Sequence, residues 1–266
     1  MQGPQGSARR GDPRTNNARY GGTREEGLSN SATVLNQLRS VLRHAVDVLA
    51  PQDCFACGAS SGGEALCPGC AAELPIPGPA CPQCAAPVAQ GELCGHCLSA
   101  PPAFDATFAA FEYAFPVDRM VQALKYQYRL SMAPFFAGAL LRSTLPLDNA
   151  ILLPMPLHVQ RLRERGFNQA VEIARPLARA WRLPMELTAV QRMRNVPPQA
   201  GLAWGERLSN MRNVFSARSP LTGLNVIVVD DVMTTGASLQ ALAAELKRAG
   251  AARVMNLVVA RTPPRG

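Results

Sequence analysis

The chain has 266 residues, of which 47% are apolar, so it is long enough to bury a sizeable core as one large domain or two modest ones. Its formal net charge of +8 at pH 7 is typical of proteins that bind nucleic acids or phosphates. The chain has no run of about eighteen uncharged apolar residues, and its polar first thirty residues lack the apolar segment of a secretory signal. Composition therefore argues against membrane-spanning and secreted classes, and we expect a cytoplasmic protein without a transmembrane segment.

The positive charge is concentrated in one part of the chain. From Ala45 to Asp118 there is no Lys or Arg, and eight acidic residues make that stretch negative. From Met155 to Arg218, eleven Arg accompany four Glu and no Asp. We therefore expect anions to bind in the third quarter of the chain.

The first fifty residues divide into a polar tail and a helical segment. Residues 1–32 are rich in Gly, Arg, Asn and Ser and have too few apolar residues to offset the entropy of ordering, which predicts a disordered tail. In residues 33–51, apolar residues recur at helical spacing between a capping Ser31 and Pro51, which predicts a short amphipathic helix. Such a helix either docks on the rest of the protein or binds a membrane surface or a partner.

All eight cysteines fall in residues 52–100, as four C-x2-C pairs. The pairs are Cys54/Cys57, Cys67/Cys70, Cys81/Cys84 and Cys94/Cys97. Nine residues separate the first two pairs and also the last two, a spacing that predicts two four-thiolate zinc sites in a double zinc ribbon. Because apolar residues are scarce here, the metal would supply most of the folding energy.

Several alternatives to this assignment remain at the level of sequence. The cysteines could form disulfides, an iron–sulfur cluster or a redox dithiol, and His96 could replace one thiol as a ligand. Sequential pairing is favoured over a cross-braced arrangement because the short loops close locally. The segment contains no Lys or Arg, and four thiolates around Zn²⁺ leave two net negative charges, so we expect a structural or protein-binding module that does not itself bind DNA.

Residues 101–266 alternate between predicted strands and helices. In chain order, the patterns first predict strands or a hairpin in AFDATFAAFEYAF, helices over 117–145 and a strand in ILLPMPL. They next predict a helix in AVEIARPLARAW with a kink or boundary at Pro176, and a strand in NVIVV. A helix in ASLQALAAELKRAG closed by Gly250 and a strand in ARVMNLVVA complete the series. Strands joined through helices by short connections form βαβ units, which predicts an α/β domain with a parallel sheet flanked by helices. Ligands of such sheets bind at the carboxyl ends of the strands.

Two adjacent acids and a small hydroxylated loop follow one of these strands, in VIVVDDVMTTGASL (residues 226–239). The predicted phosphate loop comprises Thr234, Thr235, Gly236, Ala237 and Ser238. Its backbone amides and the first turn of the next helix converge on one anion, and the glycine allows close approach. Asp230 and Asp231 can accept hydrogen bonds from vicinal hydroxyls, so the pattern predicts a ribose 5-phosphate ligand. A structural turn and a metal-binding acid pair are the alternatives.

This stretch resembles the 5-phosphoribosyl-1-pyrophosphate (PRPP) signature of type I phosphoribosyltransferases. The blocks ALKYQYR, LPMPLHVQRLRERGFNQA and NVPPQAGLAWGERLSNMRNVF resemble the ComF/GntX family of competence-associated phosphoribosyltransferase-like proteins, which also carries an N-terminal double zinc ribbon. The resemblance implies a type I phosphoribosyltransferase-like domain over residues 101–266. It also implies that Asp230 and Asp231 are the catalytic pair that holds the ribose hydroxyls, with the loop on the 5-phosphate. The chain departs from the family in its long polar tail and in Gln127-Tyr128, where many relatives have a glycine-containing turn.

Basic residues in the middle of the chain are further candidate ligand contacts. Arg161, Arg163 and Arg165 precede a Gly-Phe-Asn helix start and form a predicted diphosphate cradle, because guanidinium groups pair with two phosphate oxygens at once. A solvated basic loop is the alternative. Lys125 is a candidate phosphate contact carried by a helix.

The segment from Asn195 to Asn213 resembles the mobile flap that amidophosphoribosyltransferase-like enzymes close over PRPP. Gln199 and Arg207 are the candidate flap contacts, and a purely structural loop is the alternative.

The resemblance implies one of two functions. In the first, the protein is a ComF-type accessory factor in DNA uptake or use, which binds PRPP or a nucleotide and docks protein partners of DNA uptake. In the second, it is an active phosphoribosyltransferase that uses an unidentified acceptor, with Mg²⁺ bridging the diphosphate and ribose oxygens. Binding of single-stranded DNA through the region from Arg161 to Arg218 is a further prediction.

Overall fold

A computed structural model describes residues 53–195 and 213–263 of the chain. The tail predicted for residues 1–32 and the helix predicted for residues 33–51 lie outside the described residues. The boundary predicted between residues 100 and 101 stays a prediction. Every helix in the described ranges is too short or too polar to cross a membrane.

Helices and parallel strands alternate through most of the described part. The helices are α1 (Pro68–Ala72), α2 (Gly95–Ser99), α3 (Val117–Tyr126), α4 (Met132–Leu140), α5 (Val159–Arg165), α6 (Gln169–Trp181) and α7 (Ala237–Arg248). The strands are β1 (Ala106–Glu112), β2 (Ala150–Pro154), β3 (Val190–Arg192), β4 (Phe215–Ala217), β5 (Asn225–Met233) and β6 (Arg253–Arg261).

Four strands form one parallel sheet in the order β1-β6-β5-β2. Strands β5 and β6 are central and almost entirely buried, as expected for strands covered on both faces. This arrangement confirms the predicted α/β fold with a parallel sheet flanked by helices. The short antiparallel pair β3-β4 was not predicted, since strands of three residues are too short to show a periodic pattern.

The sheet separates two hydrophobic clusters. The helix-pair cluster contains Phe136 of α4 and Ile173 of α6, packed on the face of β5 that carries Val229. The α7 cluster contains Leu242 and lies on the opposite face, which carries Val228. Neighbouring residues of β5 contribute to different clusters because side chains alternate between the faces of a strand.

The cysteine-rich segment joins both clusters. Cys54 and Leu66 pack in the helix-pair cluster, whereas Cys81, Cys97 and Phe104 pack in the α7 cluster. The segment therefore shares the core of the sheet.

Three local predictions differ from the structure. AFDATFAAFEYAF contains the single strand β1, which pairs in parallel with β6, so the hairpin alternative is wrong. Helix α6 continues through Pro176, so the boundary predicted there is wrong, and Ile173, Ala174 and Leu177 are buried around that position. Strand β5 runs past the predicted NVIVV as far as Met233, because β6 continues to pair with it up to that residue. The two aspartates therefore lie inside the strand.

Candidate functional site

The eight cysteines form two clusters of thiols. The first tetrad contains Cys54, Cys57, Cys67 and Cys70, and the second tetrad contains Cys81, Cys84, Cys94 and Cys97. Within each tetrad all Sγ atoms lie within 4.8 Å of one another, and none of the cysteines is in a disulfide. The pairs are thus grouped sequentially, as the short loops predict.

The spacing of the sulfur atoms fits zinc. A tetrahedral Zn²⁺ with Zn–S bonds of about 2.3 Å holds its thiolates about 3.8 Å apart. Cys57 Sγ lies 3.8 Å from Cys67 Sγ, and Cys84 Sγ lies 3.5 Å from Cys94 Sγ. His96 lies on the exposed surface of α2, and the second tetrad is complete without it. The two tetrads fit a pair of structural zinc ribbons.

One thiol in each tetrad ionises easily. Hydrogen bonding from the backbone of Cys67 lowers the pKa of Cys54 to about 6. Burial opposes ionisation of Cys81, but backbone hydrogen bonds from Cys94 and Cys84 lower its pKa to about 7. Burial raises the pKa of Cys84 to about 11. A metal ion entering the second tetrad therefore has to displace a proton that the buried site holds firmly.

The acid pair lies near the carboxyl end of β5. Asp230 is 9% exposed and Asp231 is 3% exposed. The Asp231 amide donates to Asp230 Oδ1 at 2.9 Å, and the Val232 amide donates to Asp231 Oδ1 at 2.7 Å. These bonds hold both carboxylates against the strand that carries them.

Lys125, at the end of α3, contacts the acid pair directly. Its Nζ lies 2.7 Å from Asp231 Oδ2, and Asp231 is buried, so the two side chains form an ion pair. Burial would lower the pKa of Lys125, but the charge of Asp231 outweighs it and raises that pKa. Tyr128, three residues after Lys125, has φ of +56°, a backbone conformation that favours glycine. This agrees with the glycine-containing turn that many members of the ComF/GntX family have at this place.

Asp230 is the acid with the least compensated charge. Burial and the neighbouring Asp231 together raise the pKa of Asp230 to about 8, against the opposing effect of Lys125. One lysine does not balance two buried carboxylates, so the pair favours an additional cation or hydrogen-bond donors.

The predicted phosphate loop connects β5 to α7. Gly236 has φ of +83° and precedes the first residue of α7, Ala237. The backbone N–H groups of Thr235 and Gly236 have no hydrogen-bond acceptor in the part of the chain that the structure describes. Ser238 lies in the first turn of α7 and is half-buried. The loop has the open amides and the helix start that an anion site requires.

The three candidate arginines do not converge on one point. They lie on the helix α5, which is capped by His158 and ended by Gly166, so the alternative of a basic loop is wrong, whereas the diphosphate cradle stays a prediction. Arg163 is exposed. Because it follows Arg161 by two residues, its side chain leaves the helix about 200° around the axis from that of Arg161. Arg161 pairs with Glu164 at 3.5 Å. The guanidinium of Arg165 lies 5.4 Å from the centre of the Tyr126 ring.

Arg192 is a further candidate site residue that the sequence did not reveal. Burial lowers the pKa of Arg192. The charge of Asp230 opposes this lowering and the charge of Arg161 adds to it, so the Arg192 guanidinium lies within electrostatic reach of Asp230 and Arg161. It also lies 5.6 Å from the centre of the Phe215 ring on the neighbouring strand. A three-residue strand carries no recognisable motif, and the only signal was its place in the basic quarter of the chain. Gln199 and Arg207 of the predicted flap lie outside the described residues.

Two known protein families match this chain, one over the cysteine tetrads and the other over the acid pair and its loop. Residues 45–98 match the double zinc ribbon domain, and residues 165–265 match the phosphoribosyl transferase domain. The first match includes both tetrads, and the second includes the acid pair and the loop.

Named relatives match two thirds or more of this chain. The DNA utilization protein YhgH of Salmonella typhi is 33% identical over 190 residues, which cover 68% of this chain and 84% of that protein. The protein of the same name from Escherichia coli K12 is 33% identical over the same shares. Competence protein F of Haemophilus influenzae is 28% identical over 208 residues, 74% of this chain and 90% of that protein. The chain therefore belongs to the ComF/GntX family, which includes DNA utilization protein YhgH and competence protein F and joins a double zinc ribbon to a phosphoribosyltransferase domain.

Proposed function

We propose that this protein binds PRPP, or another ribose 5-phosphate such as a nucleotide, and acts in the cytoplasm as an accessory factor in DNA utilization. One observation carries the proposal: the buried Asp230 and Asp231 lie near the end of β5, which leads into a loop with open amides. The ribose hydroxyls would donate to the carboxylates, and the loop amides would donate to the 5-phosphate.

Positive groups near the acid pair suit the diphosphate of PRPP. Lys125 contacts Asp231, and Arg192 lies within electrostatic reach of Asp230. Mg²⁺ fits the uncompensated charge of Asp230, and when bound it would neutralise the diphosphate. The residues of this chain would hold the ligand, exclude water from its ribose and keep the carboxylates oriented.

The accessory role draws on the names of the relatives and on the ribbon. The relatives are a "DNA utilization protein" and a "Competence protein F". The segment from Ala45 to Asp118 is acidic and has no Lys or Arg, so the ribbon suits protein partners of DNA uptake better than DNA itself.

Calorimetric titration with PRPP and Mg²⁺ tests the ligand. Asp231→Asn removes one acceptor of the ribose hydroxyls and should weaken binding by about a hundredfold, since an unpaired buried polar group costs about 1–3 kcal/mol. The matched control is Asp148→Asn, an exposed acid just before β2 at the opposite end of the sheet, which should bind normally. A wild-type protein that binds neither PRPP nor nucleotides would refute the proposal.

Catalysis is a second candidate function, because both acids and the whole loop are present. A transferase would displace diphosphate from C1 of PRPP, and the chain's own residues would orient the ribose and neutralise the leaving group. Diphosphate release should be measured with Mg²⁺ and with ammonia or nucleobases as acceptors. Release that depends on Asp231 would favour an enzyme, whereas tight binding without release would favour the accessory role.

We further propose that the basic region from Arg161 to Arg218 binds single-stranded DNA. Tyr126 and Tyr128 are 68% and 62% exposed, and Arg165 lies over the Tyr126 ring. Exposed aromatic rings and arginines stack nucleobases. Affinity for a fluorescent oligonucleotide should fall steeply with salt, and Tyr126→Ala should weaken it by about fivefold or more, since stacking contributes about 1–3 kcal/mol per base. Binding without salt dependence would count against this ligand.

A further inference from the structure

Arg261, the last residue of β6, connects the second tetrad to the phosphate loop. Its Nε donates to the carbonyl oxygen of Cys84 at 3.1 Å. Its Nη1 donates to the carbonyl oxygens of Met233, at 3.2 Å, and of Thr234, and to that of Thr262 at 2.6 Å. One guanidinium therefore holds the backbone of a predicted zinc ligand and the start of the predicted phosphate loop together.

The side chain is buried and lacks an acidic partner. Arg261 is 8% exposed, and among the described residues it makes no ion pair with an aspartate or glutamate. A buried cation is costly unless something compensates its charge. The groups beside it that can compensate its charge belong to the second tetrad, which it contacts at the carbonyl oxygen of Cys84. Four thiolates around one Zn²⁺ would keep two net negative charges beside it.

We propose that Arg261 is a positioning residue that couples metal binding in the second tetrad to the shape of the phosphate loop. With the metal bound, the turn from Cys81 to Cys84 is fixed, and Arg261 transmits that position to the carbonyls of Met233 and Thr234. The first tetrad is not joined to the loop by such a bridge among the described residues. The predicted consequence for PRPP rests on the proposed function, but the consequence for the loop does not.

Hydrogen exchange on the zinc-loaded full chain tests the coupling without any ligand. Arg261→Lys keeps the charge but loses the fork that bridges the two backbones. The amides of Gln240 and Thr262, which donate to the loop at the carbonyl oxygens of Gly236 and Met233, should therefore exchange about tenfold faster while both zinc ions are retained. The matched control is Arg253→Lys, at the exposed start of the same strand, which should leave the exchange of these amides unchanged. Equal exchange of these amides in the Arg261→Lys variant and the wild type would overturn the proposal.

Removal of one metal at a time gives an independent measurement. Cys97→Ser, in the second tetrad, should accelerate exchange of the same two amides, whereas Cys57→Ser, at an exposed thiol of the first tetrad, should not. Similar acceleration by both variants, or by neither, would contradict a bridge through Arg261.

Titration with PRPP then separates this inference from the proposed function. Arg261→Lys should weaken PRPP binding by about tenfold or more, and adding Cys97→Ser to it should change the affinity by less than about threefold, because both act through one contact. Fully additive losses would overturn the coupling. If the wild type binds no PRPP, the proposed function fails, while the exchange experiment still decides the role of Arg261.

Discussion

The two cysteine tetrads have the same C-x2-C spacing, but they are joined to the rest of the fold in different ways. In the first tetrad Cys57 is exposed, and Cys54 packs with the helix-pair cluster. In the second tetrad Cys81, Cys84 and Cys97 are all buried in the α7 cluster. Identical ligand chemistry thus has two structural settings, and within the described ranges Arg261 bridges the second tetrad, not the first, to the predicted phosphate loop. A motif predicts which metal is bound, whereas packing decides what the metal supports.

Removal of both metal ions should have the largest effect on stability. Structural zinc contributes about 10 kcal/mol or more to folding, and both tetrads lie in hydrophobic clusters of the sheet. We expect a strong membrane-permeant chelator to lower the Tm of the holoprotein sharply, as followed by circular dichroism. Chelator saturated with zinc is the control, and an unchanged Tm would show that neither tetrad is structural.

Truncation of the apolar anchor of the second tetrad should come next. Phe104 is fully buried in the α7 cluster, so Phe104→Ala should lower the free energy of unfolding by about 3–5 kcal/mol. Ile76 lies between the tetrads and is exposed, so Ile76→Ala should change it by less than about 0.5 kcal/mol. Denaturant unfolding measures both, and equal costs would mean that the second half of the ribbon does not depend on this contact.

The acid pair of Asp230 and Asp231 is a buried site that, unlike the tetrads, contains no thiols. Because the pKa of Asp230 is raised to about 8, the folded state keeps a proton that the unfolded chain has lost above about pH 4. Stability without ligand should therefore fall as pH rises towards 8, by about 2 kcal/mol between about pH 6 and pH 8, at a limit of about 1.4 kcal/mol per pH unit for one proton. Asp230→Asn should flatten this slope in denaturant titrations at several pH values, and an identical slope in the variant would assign it to other groups.

The order of zinc release should show the smallest difference. The exposed Cys57 gives a competing chelator access to the first tetrad, whereas three thiols of the second tetrad are buried and Cys94 is half-buried. We expect the first tetrad to release zinc about tenfold faster, equivalent to about 1.4 kcal/mol in the barrier. Cys57→Ser should abolish the faster phase of release to a chromogenic chelator and leave the slower phase. Loss of the slower phase instead would reverse the assignment.

Much of this protein could be predicted from local patterns. The thiol pairs, the acid pair and the strand and helix periodicities each lie within a short stretch, so their spacing determines their chemistry or their secondary structure. The arginines of α5 were predicted less well, because alternate residues of a helix point in different directions, which separates Arg163 from Arg161 and Arg165. Strand β5 is longer than predicted because its extension depends on pairing with β6.

Contacts between distant residues could not be predicted in this way. Lys125 meets Asp231, Arg192 comes within electrostatic reach of Asp230, and Arg261 reaches Cys84, although long stretches of sequence separate the members of each pair.

By itself, the sequence determined the ligand chemistry: eight thiols at metal-binding spacing, and two acids before a loop suited to phosphate. The tertiary structure decided which charges compensate the buried acids and which of the two tetrads is tied to the loop. The reason is physical. Short-range backbone geometry is encoded by neighbouring residues, whereas the cost of burying a charge depends on groups that only folding brings within a few ångströms.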